Sequence, residues 1–280
     1  MSISMTVETR PKREDLVRAQ YADTTLVTGY ADGYQGWGPA ARYYHSRLHA
    51  VDEVLRDCPG GALLDVGCGP GMMVRHLLDT RPGDFRITAC DQSAAMADAV
   101  AARTREATEV RTSVEDIENM SFPDHSFDVV LAMGVLEYAD VTLALREVAR
   151  VVRPGGLVVA TMLNPRSPYR LFEWGVFWPA RRALGSVEGA LHVREGRRHG
   201  ARRTGIKALG PRRFRHQLWR AGFQPEDALF YDVTMLVPPV DRLVRRWDRG
   251  WREHPEKTVA RGAKRWLGTG YLVAARRVAD

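Results

Sequence analysis

Leu63-Leu64-Asp65-Val66-Gly67-Cys68-Gly69-Pro70-Gly71 is the stretch on which the reading of this chain turns: an apolar run carrying one acid breaks into three glycines at alternate positions. Gly61–Val66 reads as a buried parallel strand, because its apolar residues run on without alternation. Positions 72–79, apolar at 73, 74, 77 and 78, read as the helix that follows. A strand, a glycine turn and a helix N-terminus bring bare backbone and N–H groups close to a ligand, so a small anionic or nucleoside-bearing molecule is expected here. Spacing narrows the choice. A dinucleotide fingerprint places a glycine or alanine three residues after its second glycine; here that place is Met72, and the third glycine comes one early at Gly71. The pattern counts against NAD and FAD.

Working outward, a second strand is expected at 85–90, closed by Asp91, twenty residues after Gly71. A carboxylate there can accept hydrogen bonds from both vicinal hydroxyls of a ribose; a plain helix N-cap is the alternative. Helix is then expected at 94–105, strands at 109–112 and 127–133, helix at 141–152, and a fifth strand at 157–162 after the turn Arg153-Pro154-Gly155-Gly156. Strands alternating with helices specify an open, mostly parallel sheet, whose ligand crevice lies beyond the carboxyl ends of its strands. Met133-Gly134-Val135-Leu136-Glu137-Tyr138 should therefore line the site. Glu137 and Tyr138 are candidates to orient or deprotonate a substrate, with capping or packing the alternative for Glu137.

Taken in order, the glycine loop with Asp65, the run Asp91-Gln92-Ser93-Ala94-Ala95-Met96, the run Phe122-Pro123-Asp124-His125-Ser126-Phe127-Asp128 and the Arg-Pro-Gly-Gly turn resemble the class I S-adenosylmethionine-dependent methyltransferases of small-molecule, natural-product type. The resemblance covers about residues 61–162. It implies an α/β fold with a Rossmann-like, seven-stranded, mostly parallel sheet, helices on both faces, an N-terminal helical lid and a helical cap insertion. It also implies S-adenosyl-L-methionine as cofactor, with Asp65, Gly67, Gly69 and Gly71 under its methionine and ribose. Asp91 and Gln92 would hold the ribose, Met96 would pack near the adenine, and Met133 and Gly134 would face the sulfonium. One departure stands out. The family's Gly-Asp-Ala triplet after the third strand is here Thr112-Ser113-Val114. Its acid is missing, so Ser113 or Glu115 would take the adenine amino group, and the Val114 N–H would serve unchanged. The Asn-Pro-Pro-Tyr run that would signal methylation of nucleic-acid amines is absent.

The flanking segments divide the chain into N-terminal helices and lid (1–60), cofactor core (61–162), substrate cap insertion (163–225) and C-terminal strands of the same sheet (226–280). Helices are expected at 13–21 and 43–56, separated by a soft segment, 30–39, that holds Gly33, Gly36 and Gly38. Tyr21-Ala22-Asp23 with Tyr30 resembles the stretch that closes over the cofactor in relatives, giving Tyr21 a catalytic and acceptor-facing role and Tyr30 a cofactor-covering one; helix packing is the alternative. Five aromatics crowd 169–178. Core or subunit contact, an apolar substrate wall of Tyr169, Phe172, Phe177 and Trp178, and a membrane-docking face are the readings open for them. Strands are expected at 228–237 and 270–276, and helices at 240–247 and 258–266.

With 280 residues, 45% hydrophobic, the chain can bury one large α/β core plus appendages. Its net charge of +7 is uneven: twelve Lys/Arg stand against Glu188 and Glu195 between Arg181 and Arg220. Such a face attracts phosphates, nucleic acid or anionic lipid, although solvated arginine is the plainer reading. Three cysteines without metal-ligand spacing, no apolar leader and no long apolar run point to a cytoplasmic protein with no metal and no membrane span. The expected partner is a hydrophobic small molecule rather than nucleic acid, with a homo-oligomer conceivable through the N-terminal helix. The family reaction is an in-line displacement at a sulfonium methyl and needs positioning more than acid–base machinery. His192, His199 and His216 are unassigned base candidates. The aromatic insert leans the reading toward C-methylation of a prenyl, geranyl-type double bond with terpenoid ring closure, as in the prenyl-indole (teleocidin-type) C-methyltransferases. O- or N-methylation of a polyketide or peptide, lipid methylation, RNA modification and a non-enzymatic cofactor-binding module are the alternatives.

Overall fold

The structure is a computed structural model and describes residues 33–192, 206–243 and 250–279. Tyr21, Tyr30, His199 and the helix expected at 13–21 lie outside the described residues. Helix α1 (Pro39–Leu55) starts at a proline, whose fixed φ suits the first helical turn, and buries Ala41, Leu48, Val51 and Leu55 on one face. Two arginines, Arg42 and Arg47, share that buried face. Strands and helices then alternate: β1 (Gly61–Val66), α2 (Met72–Thr80), β2 (Phe85–Asp91), α3 (Ala94–Arg103), β3 (Val110–Val114), β4 (Phe127–Ala132), α4 (Val141–Val151) and β5 (Val152–Leu163). A helical insertion follows, made of α5 (Pro168–Phe172), a π turn (Glu173–Phe177) and α6 (Trp178–Ala190). The chain continues with α7 (Pro211–Arg220), β6 (Phe223–Pro225), β7 (Leu229–Val233), α8 (Val240–Leu243), α9 (Gly250–Glu253), β8 (Val259–Ala260) and β9 (Gly268–Arg277).

The strands form one sheet in the order β3-β2-β1-β4-β5-β9-β7-β8, with β6 also on β9. Strands β1 to β5 pair in parallel, and β9 inserts antiparallel between β5 and β7. Alternation explains the unbroken apolar runs of the sequence. Leu64, Val66, Val130 and Ala132 point into one core with α4 and α7, whereas Leu63, Val129 and Leu131 point into another with α1 and α2. Both faces of the sheet are therefore covered by helices, as expected of a Rossmann-like fold.

The sheet departs from the expected seven strands by two short additions, β6 and β8, of three and two residues. Elements that short carry no periodicity. The helix expected at 258–266 is instead a 3₁₀ turn (Pro255–Thr258), strand β8 and a second 3₁₀ turn (Gly262–Leu267). Gly262, at φ +69°, breaks the helical path there. Arg153-Pro154-Gly155-Gly156 is taken up into an irregular start of β5, where the register against β4 shifts. Among the described residues, no helix is long and apolar enough to cross a membrane.

Strand β9 passes Tyr231 so closely that a Cβ on Gly270 would lie 2.6 Å from the ring. That ring is fully buried, and its hydroxyl is 3.0 Å from the Tyr43 hydroxyl, so it has little room to yield. Gly270→Ala should therefore destabilise the fold by about 1–3 kcal/mol in urea unfolding. A loss below about 0.5 kcal/mol would mean that the ring moves freely.

Candidate active site

A cleft of about 650 Å³ opens at the carboxyl ends of β1, β2 and β4. Its floor is the glycine loop, where Gly67, Gly69 and Gly71 all take left-handed backbone, at φ +71°, +53° and +80°. Their reasons differ. A Cβ on Gly67 would meet Val135 at 2.6 Å, and one on Gly71 would meet Val100 at 2.9 Å, whereas one on Gly69 would meet nothing within 4 Å. Gly67 and Gly71 thus permit packing, and Gly69 leaves the backbone bare toward the cleft. The loop is pinned by Gly67 and Cys68, whose N–H groups donate to the Cys90 carbonyl at 2.8 and 3.0 Å.

Asp91, at the end of β2, accepts from Gly69 N at 3.0 Å and from Ser93 N at 2.9 Å. Burial pushes its carboxyl up, and these two N–H groups pull it down. Gln92, Met96 and Glu115 line the cleft beside it, together with Asp116, Ile117 and Glu118. Glu115 turns its carboxylate to Ser121, accepting from the N–H at 3.0 Å and the hydroxyl at 2.5 Å. Ser113 and Val114 are not among the lining residues: the Ser113 hydroxyl is buried with no hydrogen-bond partner among the described residues, and Val114 is an exposed side chain. Gly71 lies behind the loop as the N-cap of α2.

Beneath the loop, Asp65 is fully buried, and its carboxylate oxygens have no hydrogen-bond partner among the described residues. Burial raises its pKa to about 7, with nearby Arg47 opposing the rise and Asp91 adding to it. Arg47 reaches in from α1 and donates to the Tyr34 hydroxyl at 3.0 Å. Its Nη1 approaches Gly134 so closely that a Cβ there would lie 2.8 Å away. Met133, Gly134, Glu137 and Tyr138 line the cleft as the topology requires. Glu137 is buried, and its pKa is pushed up to about 7 by desolvation, against the pull of Arg47 and Arg170.

The far wall comes from distant parts of the chain. Tyr43 and Tyr44 of α1, Leu163 of β5, Tyr169 and Arg170 of α5, Asp232 of β7 and Asp241 of α8 complete it. Asp232 accepts from the Arg42 guanidinium at 2.7 Å and from the Thr269 hydroxyl at 2.5 Å, both buried, which fixes α1 to the sheet. The Tyr169 hydroxyl donates to Asp241 at 3.0 Å. Of the four aromatics assigned to a substrate wall, Tyr169 alone lines the cleft. Phe172, Phe177 and Trp178 stand outside it, the last two with ring centroids 5.2 Å apart and Arg181 above them. His192 lies in the turn after α6, and His216 stacks on Trp219; neither lines the cleft. Tyr43, Tyr44, Arg47, Asp232 and Asp241 were not singled out from the sequence. Arginine on the apolar face of α1 was the one signal available.

A carboxyl whose folded pKa lies above its unfolded value is protonated in the native state while ionised in the unfolded one. Asp65 therefore withdraws stability as pH rises from about 4 to about 7, on the order of 4 kcal/mol in all. Asp65→Asn should remove that decline, making the variant more stable than the parent at pH 8 and closer to it at pH 4.5. Urea unfolding at the two pH values measures the difference.

Residues 64–160 match the family model described as the methyltransferase domain. Malonyl-[acyl-carrier protein] O-methyltransferase of Serratia marcescens is 35% identical over 136 residues, 48% of this chain and 48% of that protein. 2-Methyl-6-phytyl-1,4-hydroquinone methyltransferase of Synechocystis is 34% identical over 109 residues, covering 39% and 34% of the two chains. Among solved structures, the [4+2]-cyclase SpnF superposes with a TM-score of 0.61 at 20% identity, covering 97% of this chain and 99% of that one. That likeness is one of fold. The chain spans about half the length, or less, of these curated relatives. Residues 64–160 of this Rossmann-like chain are thus matched to a methyltransferase domain, for which S-adenosylmethionine is the expected cofactor.

Proposed function

We propose that the chain transfers the methyl group of S-adenosylmethionine to a small hydrophobic metabolite. The observation that carries this reading is the single cleft joining the bare backbone at Gly69 and the Asp91 carboxylate to Glu137 and a wall of tyrosines. The residues present fit the cofactor. Asp91 would hold the ribose, Met96 and Ile117 would flank the adenine, Asp65 would receive the ammonium and Arg47 the carboxylate of the methionine part. When bound, the cofactor supplies a methyl group activated by a sulfonium. What remains for the protein is to exclude water, hold the acceptor in line and manage one proton.

For the acceptor, we favour C-methylation of a prenyl, geranyl-type double bond with ring closure. Support comes from the rings of Tyr43, Tyr44, Tyr138 and Tyr169 around the cleft, since π faces stabilise a carbocation without trapping it. Glu137 favours a second reading as well. A carboxyl poised near neutrality serves O- or N-methylation as the base that takes the acceptor's proton, and it equally serves proton loss from a cation.

Titration calorimetry with S-adenosylhomocysteine and with NADH tests the cofactor assignment. The first should bind and the second should not, and Asp91→Ala should weaken the first by at least about tenfold. Binding of NADH alone would sink the reading. With an acceptor found by screening prenylated indoles and phenols against labelled cofactor, activity should rise with pH through about 7 as Glu137 ionises. In Glu137→Gln that limb should vanish along with most of the turnover; an unchanged profile would exclude Glu137 as the base.

A further inference from the structure

One carboxylate oxygen on the far wall of the cleft has nothing to bind. Asp241 lines the cleft from α8 and is only 3% exposed. Its Oδ2 accepts from the Tyr169 hydroxyl at 3.0 Å, whereas its Oδ1 is buried with no hydrogen-bond partner among the described residues. Arg170, on the same wall, donates to Glu173 at 2.5 Å, and Arg42 is taken up by Asp232 at 2.7 Å. A buried acceptor left open in this way costs stability, and a polar group of that kind in an otherwise apolar pocket serves to orient a ligand.

The other open carboxylate of the site, Asp65, lies beneath the glycine loop, at the end of the cleft assigned to the cofactor; Asp241 belongs to the opposite wall, with Leu163, Tyr43 and Tyr169 around the same space. Charge narrows what can reach it. Among the described residues that line the cleft, seven acids stand against two arginines, although the chain as a whole carries +7. Such a cleft repels a carboxylate or phosphate head and favours a group that brings hydrogen or positive charge. We propose that Asp241 Oδ1 accepts a hydrogen bond from an N–H or O–H group of the methyl acceptor, which is therefore an apolar molecule with a donor head rather than a bare hydrocarbon or an anion. A site built to take a donor rejects the analogue that lacks one, because the carboxylate is then left unpaired, so Asp241 would set selectivity. That the ligand is a methyl acceptor rests on the methyl-transfer reading; the donor site rests on the cleft alone.

Calorimetric titration of the full chain, loaded with S-adenosylhomocysteine, with geraniol, geranylamine and geranyl methyl ether provides the test. The three share one apolar body, and only the ether lacks a donor. The alcohol or the amine should bind at least about tenfold tighter than the ether. Preference for the amine identifies an ammonium head, and preference for the alcohol a neutral one. Asp241→Asn can still accept from Tyr169 through its one oxygen but turns a donor toward the ligand; it should erase the preference while circular dichroism and the thermal midpoint stay unchanged. Tyr169→Phe, which alters the same wall but leaves the carboxylate, should retain it. Equal binding of the ether, a preference that survives Asp241→Asn, or no binding of any of the three would overturn the proposal. The same titrations on the free protein read the head-group preference without the cofactor, so a failure to bind S-adenosylhomocysteine is told apart from a failure of the donor site.

Discussion

Two loops, one leaving β1 and one leaving β4, touch so closely that no side chain fits between Gly67 and Val135. The cleft depends on this approach. The loops leave neighbouring parallel strands in the same direction, and only a residue without Cβ lets their backbones close on each other while still turning away from the sheet. Once closed, the contact aims Gly69 outward and presents Gly134 to Arg47. The bonds from Gly67 and Cys68 to the Cys90 carbonyl extend the same constraint to β2, and so to Asp91. Three strand ends are thereby locked into one rim by packing and backbone hydrogen bonds, before any charge is considered.

Charge is then distributed along that rim in an uneven way. Three acids, Asp65 and Glu137 buried and Asp91 half-buried, have carboxyls raised by desolvation, and one arginine, Arg47, counters both Asp65 and Glu137. Such an arrangement works against the stability of the protein alone, because each buried carboxyl would be better solvated in the unfolded chain. It is tolerable where ligand groups supply what the protein withholds. That is the ordinary signature of a binding site and an unusual one for a structural core.

Much of the fold was legible because its strands are buried on both faces and its turns need glycine. Gly61–Val66 could be read from an unbroken apolar run, and Asp91 from its place at the end of the next strand. The cleft-lining stretch Met133 to Tyr138 followed from topology, and Gln92 and Met96 from the resemblance. Elements too short to show a period, β6 and β8, were not legible, nor was the loss of helix at 258–266, which Gly262 decides. The far wall was closed to sequence reasoning for another reason. Asp232 and Asp241 reach the cleft because β9 inserts between β5 and β7 and carries the chain's last third back over the site, a long-range consequence that no local pattern encodes. Ser113 and Val114 stand apart from the residues that line the cleft: the resemblance assigns Val114 through its backbone N–H, while its side chain is exposed and the Ser113 hydroxyl is buried.

Helix α1 carries Arg42, buried against Asp232, only five positions from Arg47, with Tyr43 and Tyr44 between them. Losing one partner of a buried ion pair costs about 3–5 kcal/mol, so the helix is fixed to the sheet and cannot drift to suit a new ligand. Tyr43 and Tyr44 inherit that rigidity, and any change to them disturbs the surroundings of the arginine beside the glycine loop. Tyr169 and Ile206 are under no such bond to the cofactor end. In a lineage of such proteins, selectivity should therefore diversify through the insertion and its neighbours while α1 stays nearly frozen, giving the molecule one evolvable wall and one conserved one.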